Sequence, residues 1–65
     1  MNDVEEAGRA IRTARKEAGL TQKDLADLAG ISERTVRAIE TGTGNPALTA
    51  VAGAANVLGL RLVAE

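Results

Sequence analysis

The chain of 65 residues contains no cysteine and no histidine, which removes disulfides, thiolate nucleophiles, imidazole acid–base chemistry and the usual zinc sites. It also contains no phenylalanine, tyrosine or tryptophan. Its core must therefore be assembled from Leu, Ile, Val and Ala, which suits helices that approach closely and not a large ligand pocket. Only scattered carboxylates and bases remain, and none forms a convergent pair, so no enzymatic activity, cofactor or metal is expected. A basic surplus is missing too: eight Lys and Arg face nine Asp and Glu, for a net charge of −1. Binders of phosphate backbone usually carry excess positive charge, so the sum argues mildly against nucleic acid. No apolar run approaches membrane-spanning length, and the opening MNDVEEAG is acidic without an apolar segment. Neither a membrane segment nor a signal peptide is expected, and the protein is placed in the cytoplasm. A chain this short is expected to be one domain, residues 1–65, burying only roughly 60% of its unfolded surface, so a partner would help it.

What is present centres on Gln22 to Glu40, QKDLADLAGISERTVRAIE. Ala26 lies four residues before Gly30, so an almost side-chain-free residue faces a second helix while a residue without Cβ makes the turn. Leu25, Ile31, Val36 and Ile39 supply apolar contacts between the two helices, Thr21 caps the first and Ser32 the second. The segment 21–41 thus predicts a helix-turn-helix. Such a hairpin also exists without any nucleic-acid role, so the spacing alone leaves that alternative open.

Before it, residues Asp3 to Ala18 place Val4, Ala7, Ile11, Ala14 and Ala18 on one helical stripe that ends at Gly19. Acids at its start and bases at its end, Arg9 and Lys16 among them, also suit the helix dipole without any partner. Arg15 falls inside the stripe at 100° per residue, where a solvated arginine would not sit. Glu40, flanking the inward Val36 and Ile39 of the third helix, is its natural carboxylate, so a structural ion pair of Arg15 with Glu40 is expected. On that third helix Arg34, Arg37, Ala38 and Thr41 project away from the apolar side, with Glu33 near the start. A plain solvated face with an i,i+4 pair between Glu33 and Arg37 is the other way to read them.

Thr41 to Pro46, TGTGNP, predicts a loop. From about Ala47 to Leu58 a fourth helix places Leu48, Val51, Ala52, Ala55 and Leu58 on one stripe. Its other side is Ala50, Gly53, Ala54 and Val57, with no charge anywhere. Such a helix demands cover on both sides, which points to a partner surface. Gly59 ends it, and LRLVAE, residues 60–65, alternates like a short strand. A lone strand is unstable in water, whereas pairing with its own copy across a two-fold axis would stabilise it. Ala50, Ala54, Val57, Leu60, Leu62 and Val63 are accordingly the expected dimer interface.

The run AGLTQKDLADLAGISERTVRAIETGTGNP resembles the Cro and lambda-repressor type of helix-turn-helix, the XRE family of bacterial regulators, over Val4 to about Leu58. The resemblance implies an all-α, four-helix, lambda-repressor-like DNA-binding domain with a short C-terminal β-strand that pairs in a dimer. It implies that Ser32, Glu33, Arg34, Arg37 and Ala38 read bases, that Gln22, Lys23, Thr41, Thr43 and Asn45 meet phosphates, and that Arg15 and Glu40 form the internal pair. Two departures stand out: Ala47 replaces the serine that would cap the fourth helix, and the loop has no Lys or Arg. The four-helix form with an LGLRLVAE-like tail resembles HipB-type antitoxins, which implies a HipA-type kinase toxin as a further partner.

Together these features lead to the expectation of a homodimeric, sequence-specific repressor bound to an operator in double-stranded DNA, nucleoid-associated when bound, acting as antitoxin and autoregulator of a toxin-antitoxin operon. The alternatives are a free-standing repressor without a toxin, and a protein-interaction module that keeps only the fold.

Overall fold

In a computed structural model that describes residues 3–60, the chain forms four α-helices: α1 (Asp3–Glu17), α2 (Gln22–Ala29), α3 (Glu33–Thr41) and α4 (Leu48–Val57). Their ends follow local chemistry. Thr21 opens α2 with a capping box: its hydroxyl accepts from the Asp24 backbone N–H at 3.0 Å, and Asp24 accepts from the Thr21 N–H at 2.9 Å, so two otherwise orphaned donors are satisfied. Ser32 opens α3 by accepting from the Thr35 N–H at 3.1 Å. Between them Gly30 takes φ 70°, ψ 31°, a left-handed backbone that ends α2 and that a residue with Cβ would resist.

The core is aliphatic. Ile11, Leu25, Ala26, Val36, Ile39, Ala54 and Ala55 are buried, with Ile31, Val51, Leu58 and others packed around them. Helix α3 is the central element, in contact with α1, α2 and α4, while α4 also packs along α2. The contact of α1 with α3 is unusually close at Gly8, where a Cβ would overlap the Ile39 carbonyl oxygen.

Three expectations are corrected here. The buried face of α1 holds Gly8, Ile11 and Arg15, while Ala18, assigned to the stripe, is exposed. On α4 the expected stripe is met at Ala55, which is buried, and at Val51 and Leu58, which pack on the core, but not at its start: Leu48, expected inside, is 76% exposed, whereas Ala54, expected at a dimer interface, is 0% exposed within its own protomer. Ala54 therefore has no surface to offer a second copy. Thr49 and Asn56, seven residues apart and both exposed, mark the outer face of α4, and packing against α2 and α3 turned Ala54 rather than Leu48 inward.

The expected strand 60–65 falls almost wholly outside the described residues, Leu62 and Val63 included. Leu60 is described. Its N–H donates to the Ala55 carbonyl at 2.8 Å, closing α4, and its side chain rests half-buried on the core. Among the described residues no strand is present, and no helix is long and apolar enough to cross a membrane.

Candidate nucleic-acid interface

The centre of the site is a buried charge pair that fixes α1 against α3. Arg15 Nε donates to Glu40 Oε2 at 2.6 Å, Nη2 to Glu40 Oε1 at 3.0 Å, and Nη1 to the Leu20 carbonyl at 2.8 Å. Arg15 is 8% exposed and Glu40 7%. A fork of this kind fixes geometry in two directions at once. Burial alone pushes the Glu40 carboxyl up, but hydrogen bonds from Arg15 and Gln22 and the charges of Arg15 and Arg12 outweigh it, leaving Glu40 below its ordinary range. The hydrogen bond to Glu40 likewise raises Arg15. Both groups are therefore held charged.

With α3 locked on its inner side by Val36, Ile39 and Glu40, its other side is presented outward. Ser32, Glu33, Arg34 and Arg37 are exposed, while Ala38 is half-buried beside Gly44 of the following loop. Arg37 lies 3.5 Å from Glu33, an exposed i,i+4 pair of the kind worth only a few tenths of a kcal/mol. Both side chains remain available to another partner.

The expected phosphate residues differ from one another in what they have to give. Lys23 is exposed and 3.3 Å from Asp27. Thr41 donates its hydroxyl proton to the Arg37 carbonyl at 2.8 Å, so the 2.8 Å contact with Thr43 uses the Thr43 proton. Each threonine hydroxyl is thus engaged as a donor inside the chain, and a phosphate, which only accepts, must displace one of these bonds. Asn45 is exposed in the loop. Gln22 is half-buried in the first turn of α2, and its Nε2 donates to Glu40 Oε1 at 3.3 Å.

Sequence reasoning missed three participants. The Gln22–Glu40 bond spans 18 positions and has no local signature. Arg12, close enough to influence Glu40, stands one helical turn before Arg15, a spacing that places it on the same side of α1. Gly8 is an interior helix glycine, a residue that normally weakens a helix, and that unexplained cost was its available signal. Of the expected interface for a second copy, Ala50, Val57 and Leu60 are half-buried against the protomer's own core, and Ala54 is inside it. Among the described residues no cluster of acidic side chains could hold a metal ion.

The helix-turn-helix family profile matches residues 11–64, from the middle of α1 onward. An uncharacterized HTH-type transcriptional regulator of Methanothermobacter thermautotrophicus strain Delta H is 43% identical over 49 residues, which is 75% of this chain and 71% of that protein. The four helices, the side-chain caps of α2 and α3, the left-handed glycine between them, and these two matches together place the chain in the helix-turn-helix family, in its Cro and lambda-repressor branch.

Proposed function

We propose that this protein is a sequence-specific DNA-binding transcriptional repressor that acts as a homodimer in the cytoplasm. The observation that carries the reading is the outward side of α3, where Arg34 and Arg37 are exposed on a helix whose opposite side is locked by buried Val36, Ile39 and Glu40. A helix laid in the major groove offers such side chains to base edges, and the two guanine acceptors there match the fork of an arginine. Gln22, at the start of α2, holds a phosphate and sets the register of the domain on the duplex, as backbone contacts do. A dimer that occupies its operator excludes other proteins from the same DNA, which is sufficient for repression.

The finer proposal, antitoxin and autoregulator of an operon that also encodes a HipA-type kinase toxin, is supported by the LGLRLVAE tail alone. It is tested by whether a kinase-like gene adjoins this one and whether its product copurifies with the chain. The DNA reading is tested by selecting duplexes from a random pool and measuring affinity against salt. Affinity should fall steeply with salt as counterions are released. Arg34→Ala or Arg37→Ala should lose roughly 1 to 3 kcal/mol on the selected site and relax preference at one base pair, while Gln22→Ala weakens all sequences alike. If both arginine variants discriminate as the parent does, α3 is not the reader and the protein-interaction alternative takes the lead.

A further inference from the structure

The hydrogen bond from Gln22 to Glu40 links the buried ion pair to the surface. An ionised carboxylate can only accept, so the end of the Gln22 side chain that faces Glu40 must be its NH₂ and not its oxygen. Of the two N–H groups on Nε2, one is thereby occupied at 3.3 Å by Glu40 Oε1. The other, set at a wide angle on the same planar nitrogen, makes no hydrogen bond among the described residues and is left for solvent or a ligand. Glu40 itself cannot swing to follow Gln22, because its two oxygens are gripped by Arg15 Nε and Nη2 at 2.6 and 3.0 Å. Arg15 also cancels the charge of Glu40, without which a carboxylate so near Gln22 would repel an incoming phosphate.

We infer that the Arg15–Glu40 pair positions Gln22 for DNA: Glu40 takes one N–H of the Gln22 carboxamide, and so aims the other at a backbone phosphate. The inference rests on the DNA-binding reading above and extends it to two buried residues behind the surface. Gln22 is the binding residue, Glu40 the positioning residue, and Arg15 the group that holds Glu40 in place and neutral in sum. Because the contact is to phosphate, the effect is independent of sequence and belongs to every duplex the protein meets.

The test needs a chain that stays folded without the carboxylate. Replacing both members of a buried ion pair by apolar residues of similar size is often neutral or stabilising, so Arg15→Met with Glu40→Met removes the acceptor and leaves net charge unchanged. Affinity is measured on a mixed-sequence DNA duplex at low salt. Gln22→Ala should lower it about tenfold, the loss of one hydrogen bond to a charged group. The double methionine replacement should lower it by a comparable factor in the parent but not at all in a chain already carrying Gln22→Ala. A purely structural role for the pair would give losses that multiply to about a hundredfold, and that result overturns the inference, as does a methionine pair that binds like the parent. NMR of the unaltered chain gives an independent answer even if the methionine variant does not fold. On adding the duplex, one Gln22 Nε2 proton should shift while the other, held by Glu40, stays. If both shift and the contact with Glu40 is lost, positioning is excluded. Failure of the parent to bind any duplex overturns the proposed function itself and this inference with it, an outcome distinct from additive losses in a chain that binds.

Discussion

A charged pair taken out of water is worth little against an apolar pair of the same size, yet each member is essential while the other is present. Glu40→Ala leaves Arg15 buried with only the Leu20 carbonyl to receive it, and should cost roughly 3 to 5 kcal/mol, most of what a domain this small possesses. An unchanged melting midpoint would show that Arg15 reaches water. The same pair sets an acid dependence. The carboxyl of Glu40 lies below its ordinary value of 4.5 in the folded chain, so the unfolded chain binds the proton first. Its contribution is complete above about pH 5 and is lost as pH falls through the unfolded value towards the lower folded one. Asp24, lowered by its hydrogen bonds from Thr21, acts in the same direction. Urea midpoints measured downward from neutral pH should therefore decline in acid, and the decline should be shallower in the Arg15→Met, Glu40→Met chain. Gly8 provides the contrary case of a residue that matters for having no side chain. Gly8→Ala gains up to about 1 kcal/mol of helix propensity, but its methyl meets the Ile39 carbonyl. Overpacking of this sort costs about 1 to 3 kcal/mol, so the variant should unfold at lower urea than the parent.

The helices show which signals a sequence carries. Caps are local, so Thr21, Ser32 and Gly30 mark the bounds of α2 and of the start of α3 within a residue or two. An arginine inside an apolar stripe is also local, and its partner follows once a third helix is placed beside the first. The rotation of α4 is only partly local: Val51, Ala55 and Leu58 lie on the core side as their spacing predicts and Thr49 and Asn56 are both exposed, but the other residues of LTAVAGAANV are nearly all apolar, so the choice between Leu48 and Ala54 falls to packing against α2. Close approach at Gly8 and the bond from Gln22 to Glu40 arise only when two distant segments meet; the first leaves no more than an unexplained glycine inside a helix, and the second leaves no local pattern. The weakest element end is also visible here. Ala47 precedes α4 with extended φ and ψ of −61° and 143° and offers no side-chain cap. Ala47→Ser adds an acceptor where the backbone already has cap geometry and should raise stability by about 1 kcal/mol, whereas Ser32→Ala should lower it by a similar amount. Thermal melts of the two variants, moving in opposite directions from the parent, would check the cap argument; no rise for Ala47→Ser would mean that the N–H groups of α4 are already satisfied.

On the scale of the molecule, the described residues span 28 Å along their longest axis, less than the roughly 34 to 36 Å between half-site centres one duplex turn apart. In the proposed complex one copy therefore covers one half-site, and two copies held at a fixed spacing read the operator. Where they join is narrowed by the fold: Ala54 is enclosed and Ala50, Val57 and Leu60 lean on their own core, so these residues alone present little apolar area to a partner. The proposed dimer is therefore expected to draw on residues 61–65. Because Leu60 closes α4 through its N–H, a chain cut after Leu60 keeps that bond and should retain its helices. We expect the full chain to sediment as a dimer at micromolar concentration and the shortened one as a monomer with the same helical circular dichroism. On a selected operator the shortened chain should bind each half-site independently, losing the gain in effective concentration that a linked pair enjoys, while its affinity for a single half-site stays as before. A shortened chain that still dimerises would move the interface onto the helices, with exposed Leu28 and Leu48 the first residues to replace by lysine. A full chain that is monomeric at high concentration would remove the dimer and, with it, the paired half-sites.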